Sequence, residues 1–184
     1  MQRIIIIAGP SGVGKTTIAN YLYQKYDIPR VITHTTRPMR EGEEEGKSYY
    51  FETEKTFEKL HFFEQVKYGD YKYGSSKEAL KRAWKTSNIV SLIVETDGVK
   101  SYLKELGEKV FFIFLTVSDL RILKQRLINR GDDPKEIEKR INSSEFKRDL
   151  HLQPDLQKYA HYLNNDNLSV IEEDLDNLIT YLKK

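Results

Sequence analysis

The N-terminal stretch RIIIIAGPSGVGKTTIANYL, Arg3 to Leu22, constrains the fold more than any other part of the sequence. Its four consecutive isoleucines are too few to span a bilayer and too apolar for a surface loop. Because the run is β-branched throughout, it predicts a strand that is buried on both faces. The apolar residues that follow recur at helical spacing, at Ile18, Ala19, Leu22 and Tyr23. The glycine-rich segment Gly9–Thr16 therefore joins a buried strand to the start of a helix.

The rest of the chain alternates strand-like and helix-like segments. Nearly continuous apolar runs predict strands at Ile4–Ala8, Ile89–Val94 and Val110–Val117. Helices are expected at Ala79–Lys85 and Val99–Leu106, from an N-cap at Ser118 up to Gly131, and from a capping box at Ser169 and Glu172 up to Leu182. This order predicts an α/β fold in which helices flank a parallel sheet.

Composition excludes several classes of protein. A chain of 184 residues is long enough for one domain, and no run approaches the length of a membrane span. The sequence has no cysteine and no secretory-signal pattern at its N-terminus, so we expect a cytoplasmic protein without disulfides. Its 30 basic and 28 acidic side chains leave a net charge of +2, which gives no support for nucleic-acid binding.

The segment Gly9–Thr16 matches the phosphate-binding loop pattern G-x-x-x-x-G-K-[ST]. Glycines let successive backbone N–H groups point at phosphate oxygens, and the helix N-terminus adds partial positive charge. Lys15 supplies a point charge to the β- and γ-phosphates, and the Thr16 hydroxyl can ligate Mg²⁺. A purely structural glycine turn is the weaker alternative, because a strand precedes the loop and a helix follows it.

A second polar segment, Thr33–Ser76, is rich in tyrosine, phenylalanine, glycine and charge, and it reads as a small inserted lobe of short strands. Arg37, Arg40 and the hydroxyl of Tyr49 could converge on a phosphate monoester, because the guanidinium fork matches phosphate oxygens. The segment Arg130–Leu156 is helical in pattern but strongly charged, which is typical of a mobile lid.

These motifs together resemble the guanylate kinase family. The similarity rests on GPSGVGKTT, TTRPMREGE with the following YYF, FFEQVKYGDYKYGS, RLINRGDD and NDNL, and it extends from about Arg3 to about Leu182. The resemblance implies a P-loop nucleoside-monophosphate kinase fold with a core (1–32, 80–125 and 157–184), a GMP-binding lobe (33–79) and a helical lid (126–156). It implies an enzyme that transfers the γ-phosphate of ATP to GMP, and also to dGMP, without a nucleic-acid or membrane partner, as a monomer or homodimer.

The resemblance also implies roles for individual residues. On the acceptor side it places GMP on Thr33, Arg37, Arg40, Tyr49, Glu64, Tyr73, Ser75 and Glu95. On the donor side it places ATP on Gly9, Pro10, Ser11, Gly12, Val13, Gly14, Lys15, Thr16 and Thr17, with Asn165 against the adenine and Mg²⁺ on Thr16. Catalysis is assigned to Lys15 and Arg37 together with the lid arginines Arg126, Arg130 and Arg140, which reach the transferred phosphate on closure.

One site departs from the family pattern. Where the family has two aspartates one residue apart, this chain has Ile93 and Glu95. The change leaves open a monophosphate kinase with another nucleobase preference. A non-catalytic guanylate-kinase-like binding module is a further alternative, although such modules typically lose the loop that this chain keeps.

Overall fold

The structure is a computed structural model that describes residues 1–183. These residues form two compact units: the first comprises Met1–Ile5, Ala19–Leu92 and Asp97–Val110, and the second comprises Ile6–Ile18, Ile93–Thr96 and residues 111–183. The strands are β1 (Arg3–Ala8), β2 (His34–Thr35), β3 (Tyr50–Phe51), β4 (Phe62–Tyr68), β5 (Tyr71–Ser76), β6 (Ile89–Ile93), β7 (Val110–Thr116) and β8 (Ala160–Asn164). The helices are α1 (Lys15–Tyr26), α2 (Glu54–Phe57), α3 (Lys77–Ala83), α4 (Thr96–Leu106), α5 (Leu120–Asn129), α6 (Pro134–Ile141), α7 (Ser144–Leu150), α8 (Pro154–Gln157) and α9 (Leu168–Leu182).

The strands form two four-stranded sheets. The parallel sheet has the order β6-β1-β7-β8, and helices flank it, which confirms the predicted α/β fold. The second sheet has the order β3-β2-β5-β4, with β4 antiparallel to β5 and Glu64 opposite Ser75. This second sheet lies wholly in the segment that the sequence describes as an inserted lobe.

The isoleucine run of β1 is fully buried, as the absence of alternation predicts. Each fully buried aliphatic side chain contributes about 1.5–3 kcal/mol to folding, so this strand is a rigid support for the loop that follows it. In α1 the residues Ile18 and Leu22 are also fully buried, but Tyr23 is 57% exposed, so the buried face of this helix is narrower than its apolar spacing indicates.

The helices predicted at Ala79–Lys85 and Val99–Leu106 begin two and three residues earlier, at Lys77 and Thr96, and two predicted N-caps are wrong by one or two residues. The helix α5 is capped by Asp119 rather than Ser118, because the Asp119 carboxylate accepts a hydrogen bond from the backbone N–H of Arg121 at 2.8 Å. The helix α9 is capped by Asn167 rather than Ser169, and the Asn167 side chain accepts from the Ser169 N–H. In both places two cap-forming residues stand close together, and spacing alone does not choose between them.

The strand β8 is absent from the sequence expectations. It pairs in parallel with β7, with Phe112 opposite Ala160 and Thr116 opposite Asn164. Only Leu163 of this edge strand is buried, so its sequence, AHYLN, carries no apolar run. Within residues 1–183, none of the helices has the length and apolar character that a bilayer crossing requires.

Candidate active site

The glycine-rich loop lies in the second unit, between β1 and α1, and its backbone needs glycine at two close approaches. Gly9 has φ +141°, and a Cβ there would lie 2.5 Å from the carbonyl oxygen of Leu115. Gly14 has φ +101°, and a Cβ there would lie 2.3 Å from Nδ2 of Asn165. Any other residue would therefore clash with the neighbouring strand or the turn after β8, and the loop would lose its shape.

The side chain of Lys15 folds back over this loop. Its ammonium donates hydrogen bonds to the carbonyl oxygens of Gly9 at 2.6 Å and Pro10 at 2.9 Å. Burial lowers the pKa of Lys15 to about 8, and the nearby carboxylates of Asp149 and Glu95 oppose that shift. The Lys15 ammonium is therefore held against the backbone of the loop.

A cavity of about 690 Å³ opens in front of the loop. It brings together most of the residues that the sequence assigns to ATP, and it is lined by Ser11, Gly12, Gly14, Lys15, Thr16, Thr17, Arg126, Leu127, Arg130 and Asn165. Both threonines are exposed to this space. The second unit thus presents backbone amides, hydroxyls and cations around one opening of nucleotide size.

The predicted lid arginines make different contacts. Arg126 donates to the carbonyl oxygen of Asn165 at 2.7 Å, and so it holds backbone at the cavity wall. Arg130 donates through Nε to Asp132 at 2.7 Å, and Arg140 donates to the same carboxylate at 3.1 Å. Asp132 therefore pairs with two of the three predicted lid arginines.

A further ionic cluster forms around Glu95, which belongs to the second unit. Arg148 donates to Glu95 at 2.8 Å and, through Nε, to the buried Asp149 at 3.0 Å. The hydroxyl of Thr96 donates to Asp149 as well. Glu95 is thus fixed by an arginine, and its predicted contact with guanine stays a prediction.

In the first unit, Arg37 is only 6% exposed and pairs bidentately with Glu43, at 2.7 and 3.0 Å. The bond to Glu43 raises the pKa of Arg37, and Tyr73 adds a further hydrogen bond to its guanidinium. The rings of Tyr49 and Tyr73 pack edge to face, with centroids 5.9 Å apart, and Arg37 lies 5.7 Å from the Tyr49 ring. Three predicted phosphate ligands therefore form one cluster.

Two other residues predicted to bind GMP lie outside the strands, Thr33 directly before β2 and Arg40 in the loop after it. Arg40 is exposed, and its backbone N–H donates to Glu43 at 2.8 Å. Thr33 is half-buried, and its carbonyl oxygen accepts from the Tyr50 N–H at 2.8 Å.

The carboxylate of Glu64 is seated by a glycine on α4. A Cβ on Gly98 would lie 2.1 Å from Oε2 of Glu64, so the carboxylate occupies the space that a side chain would fill. Ser75, fully buried, donates to Oε1 at 3.2 Å, and it also hydrogen-bonds to the buried Tyr102. Burial raises the pKa of the Tyr102 hydroxyl, which therefore stays protonated beside Glu64.

Comparison with known proteins agrees with this geometry. The sequence profile named Guanylate kinase matches residues 1–182. The guanylate kinase of Protochlamydia amoebophila is 39% identical over 171 residues, which cover 90% of this chain and 83% of that protein. The guanylate kinase of Lactiplantibacillus plantarum is 32% identical over 183 residues, covering 96% and 86%. The chain belongs to the guanylate kinase family. It is an ATP-dependent enzyme that phosphorylates a nucleotide. The shared name of its relatives favours a kinase that uses GMP as acceptor over a non-catalytic binding module.

The fold of this guanylate kinase family member also matches a solved structure. The crystal structure of guanylate kinase from Anaplasma phagocytophilum aligns with a TM-score of 0.61 at 23% identity, covering 99% of this chain and 85% of that one. At that identity the likeness shows the shared fold.

Three residues that shape the site escape sequence reasoning. The sequence predicts no role for Gly98, Glu43 or Asp132, yet they contact Glu64, Arg37 and the pair Arg130 and Arg140. Gly98 precedes the helix predicted at Val99–Leu106, and only the earlier start of α4 at Thr96 makes it a helical glycine, which usually has a packing reason. Nothing local distinguishes Glu43 and Asp132 from their acidic neighbours.

Proposed function

We propose that this member of the guanylate kinase family transfers the γ-phosphate of ATP to GMP, and also to dGMP, with the loop of the second unit as donor site and the lobe of the first unit as acceptor site. The observation that carries the acceptor assignment is the seat of Glu64 on Gly98. Guanine presents adjacent N–H donors, which one carboxylate accepts together, whereas adenine offers a different pattern.

The acceptor phosphate is assigned to the cluster of Arg37, Tyr49 and Tyr73, with Arg40 at its exposed edge. Support comes from the guanidinium and the two tyrosines being packed together before any ligand binds. A preorganised cluster of this kind orients the acceptor oxygen with little loss of side-chain entropy. Thr33 and Ser75 are proposed to contact the guanine side.

The donor phosphates are assigned to the loop amides and Lys15. The Lys15 ammonium has three donors, of which two bond to the carbonyls of Gly9 and Pro10, so one is left for a phosphate oxygen and any further phosphate bond requires exchange of a carbonyl. Arg126, Arg130 and Arg140 are proposed to surround the transferred group and to exclude water, which limits hydrolysis of ATP.

The residues at the loop fit Mg²⁺ bound chiefly through phosphates and water. Among residues 1–183, no group of three histidine, cysteine, aspartate or glutamate side chains is placed to hold a metal. Mg²⁺ typically takes one or two protein ligands and keeps several waters, so the exposed Thr16 hydroxyl is a sufficient protein ligand. When bound, the ion would neutralise charge on the β- and γ-phosphates. A cytoplasmic location and a monomer or homodimer without nucleic-acid or membrane partners stay predictions.

The test is an ADP-release assay with ATP, Mg²⁺ and separate GMP, dGMP, AMP, CMP, UMP and dTMP acceptors. We expect release with GMP and dGMP only. Release with another base would keep the donor site and overturn the role of Glu64. No release with any acceptor, from protein that binds ATP, would overturn the proposed reaction.

A further inference from the structure

Asn165 follows β8, and its side chain is held in an unusual way. The residue is 3% exposed, and its backbone N–H donates to the carbonyl oxygen of Thr116 at 2.8 Å. Its Nδ2 donates to the carbonyl oxygen of Val13 at 2.7 Å, across 152 residues of sequence. The amide therefore grips the phosphate loop itself.

The acceptor end of the same amide is unsatisfied. Oδ1 of Asn165 is buried and has no hydrogen-bond partner among residues 1–183. Turning the amide over would place this oxygen against the Val13 carbonyl oxygen, and two acceptors at 2.7 Å would repel one another. A buried acceptor without a partner lowers stability. The amide nevertheless keeps this orientation, because only then can Nδ2 donate to the Val13 carbonyl oxygen.

That bond determines the orientation of one peptide unit of the loop. The carbonyl of Val13 and the N–H of Gly14 belong to the same planar trans peptide, so the two groups point in opposite directions. With the carbonyl directed at Asn165, the Gly14 N–H is directed away from it. Arg126 adds a second donor at 3.5 Å on the same carbonyl, and it binds the backbone carbonyl of Asn165 at 2.7 Å.

The contact also explains why position 14 must be glycine. A Cβ there would lie 2.3 Å from Nδ2 of Asn165, so the amide occupies the space that any side chain would need. The loop backbone and Asn165 are thus complementary in shape as well as in hydrogen bonding.

We infer that Asn165 is a positioning residue for the phosphate loop, which aims the Gly14 N–H at the donor phosphates, rather than the contact to adenine that the sequence predicts. The inference rests on the proposed function, because it takes the loop to hold the phosphates of ATP. A positioning residue of this kind acts on every ligand with a polyphosphate, whatever its base.

The test compares ATP with inorganic tripolyphosphate, which has no base. Asn165→Ala removes the donor, and Asn165→Asp keeps the shape while placing a carboxylate against the Val13 carbonyl. We expect both variants to bind tripolyphosphate and ATP about tenfold more weakly, by the same factor, because a buried acceptor loses its best partner. The KM for ATP should rise while the KM for GMP stays unchanged. Asn177→Ala, at an exposed position of α9, serves as the control.

Circular dichroism and thermal unfolding establish whether each variant is folded. If Asn165→Ala does not fold, the binding measured for Asn165→Asp decides the test. Weaker ATP binding with unchanged tripolyphosphate binding would overturn the inference in favour of an adenine contact, and unchanged binding of both would also overturn it. If the wild-type protein binds neither ligand, the proposed donor site fails together with the inference.

Discussion

Replacing Gly98 with alanine should change the stability of the fold and the turnover of GMP in opposite directions. Gly98 lies inside α4, and its φ is not positive, so alanine fits the backbone there. Alanine is about 0.8–1.0 kcal/mol more favourable than glycine in a helix interior. On backbone grounds alone, the variant should therefore be slightly more stable than the wild type.

The same methyl group should displace the carboxylate of Glu64, which is proposed to bind guanine. The new Cβ would lie 2.1 Å from Oε2 and 2.8 Å from Cδ of Glu64. Resting separations are about 3.5 Å, so the carboxylate must retreat by more than about 1 Å. Hydrogen bonds to a charged group are worth about 1.5–3 kcal/mol, which corresponds to a fall in kcat/KM for GMP of roughly tenfold to a hundredfold.

The assay is a steady-state series in GMP at saturating ATP, beside urea unfolding of each protein. Ser101→Ala is the matched control, because it improves helix propensity in α4 and should leave kcat/KM unchanged. In a double-mutant cycle, Gly98→Ala should add no further loss to Glu64→Ala, since no carboxylate is left to displace. Wild-type kcat/KM in a folded Gly98→Ala protein would refute the reasoning about the seat.

Three further predictions follow from the other contacts. The pKa of Lys15 is lowered to about 8 from its ordinary 10.5, so the affinity for tripolyphosphate should fall as pH rises above about 8. The free energy of unfolding should rise between pH 8 and 10.5, because the unfolded state binds more protons there. An affinity that is constant up to pH 10 would contradict this. Arg37→Ala should raise the KM for GMP roughly tenfold or more while the KM for ATP stays constant, and equal changes in both would argue against the cluster. Asn167→Ala should lower the free energy of unfolding by about 1 kcal/mol and Ser169→Ala by less than about 0.5, as urea titration can show; the reverse order would restore Ser169 as the cap.

The parts of the fold that follow from sequence are those whose signal is local. The run Ile4–Ile7 and the loop behind it specify a buried strand, a turn and a helix within about twenty residues, and the structure has all three. The strand β8 does not follow from the sequence in this way, because an edge strand that is exposed over most of its length needs no apolar run. Its extended conformation depends instead on its pairing with β7.

The site was predictable in composition but not in its contacts. Arginines and tyrosines of the lobe follow from motif spacing, whereas the partner of each arginine depends on residues that the fold brings together. Arg148 illustrates this, because its carboxylate partner Glu95 lies 53 positions away and nothing in the sequence links the two residues. The motif links Asn165 to the donor nucleotide, which stays a prediction, whereas its bond to Val13 is a property of the tertiary structure alone.

Pairs between arginine and carboxylate recur within each unit: Arg37 with Glu43 in the first, and Arg130 and Arg140 with Asp132 and Arg148 with Glu95 in the second. Each carboxylate is a counterion that the protein carries for itself. Under the roles proposed for Arg37, Arg130 and Arg140, phosphate binding is an anion exchange, in which a carboxylate of the protein is released into water as the substrate binds. Fewer counterions are then released from the protein into solution when the substrate binds. Substrate affinity should therefore vary less with salt concentration than the number of arginines implies. Small anions also gain little free energy by binding these paired arginines. The pairing therefore favours ligands that carry a nucleoside as well as phosphate.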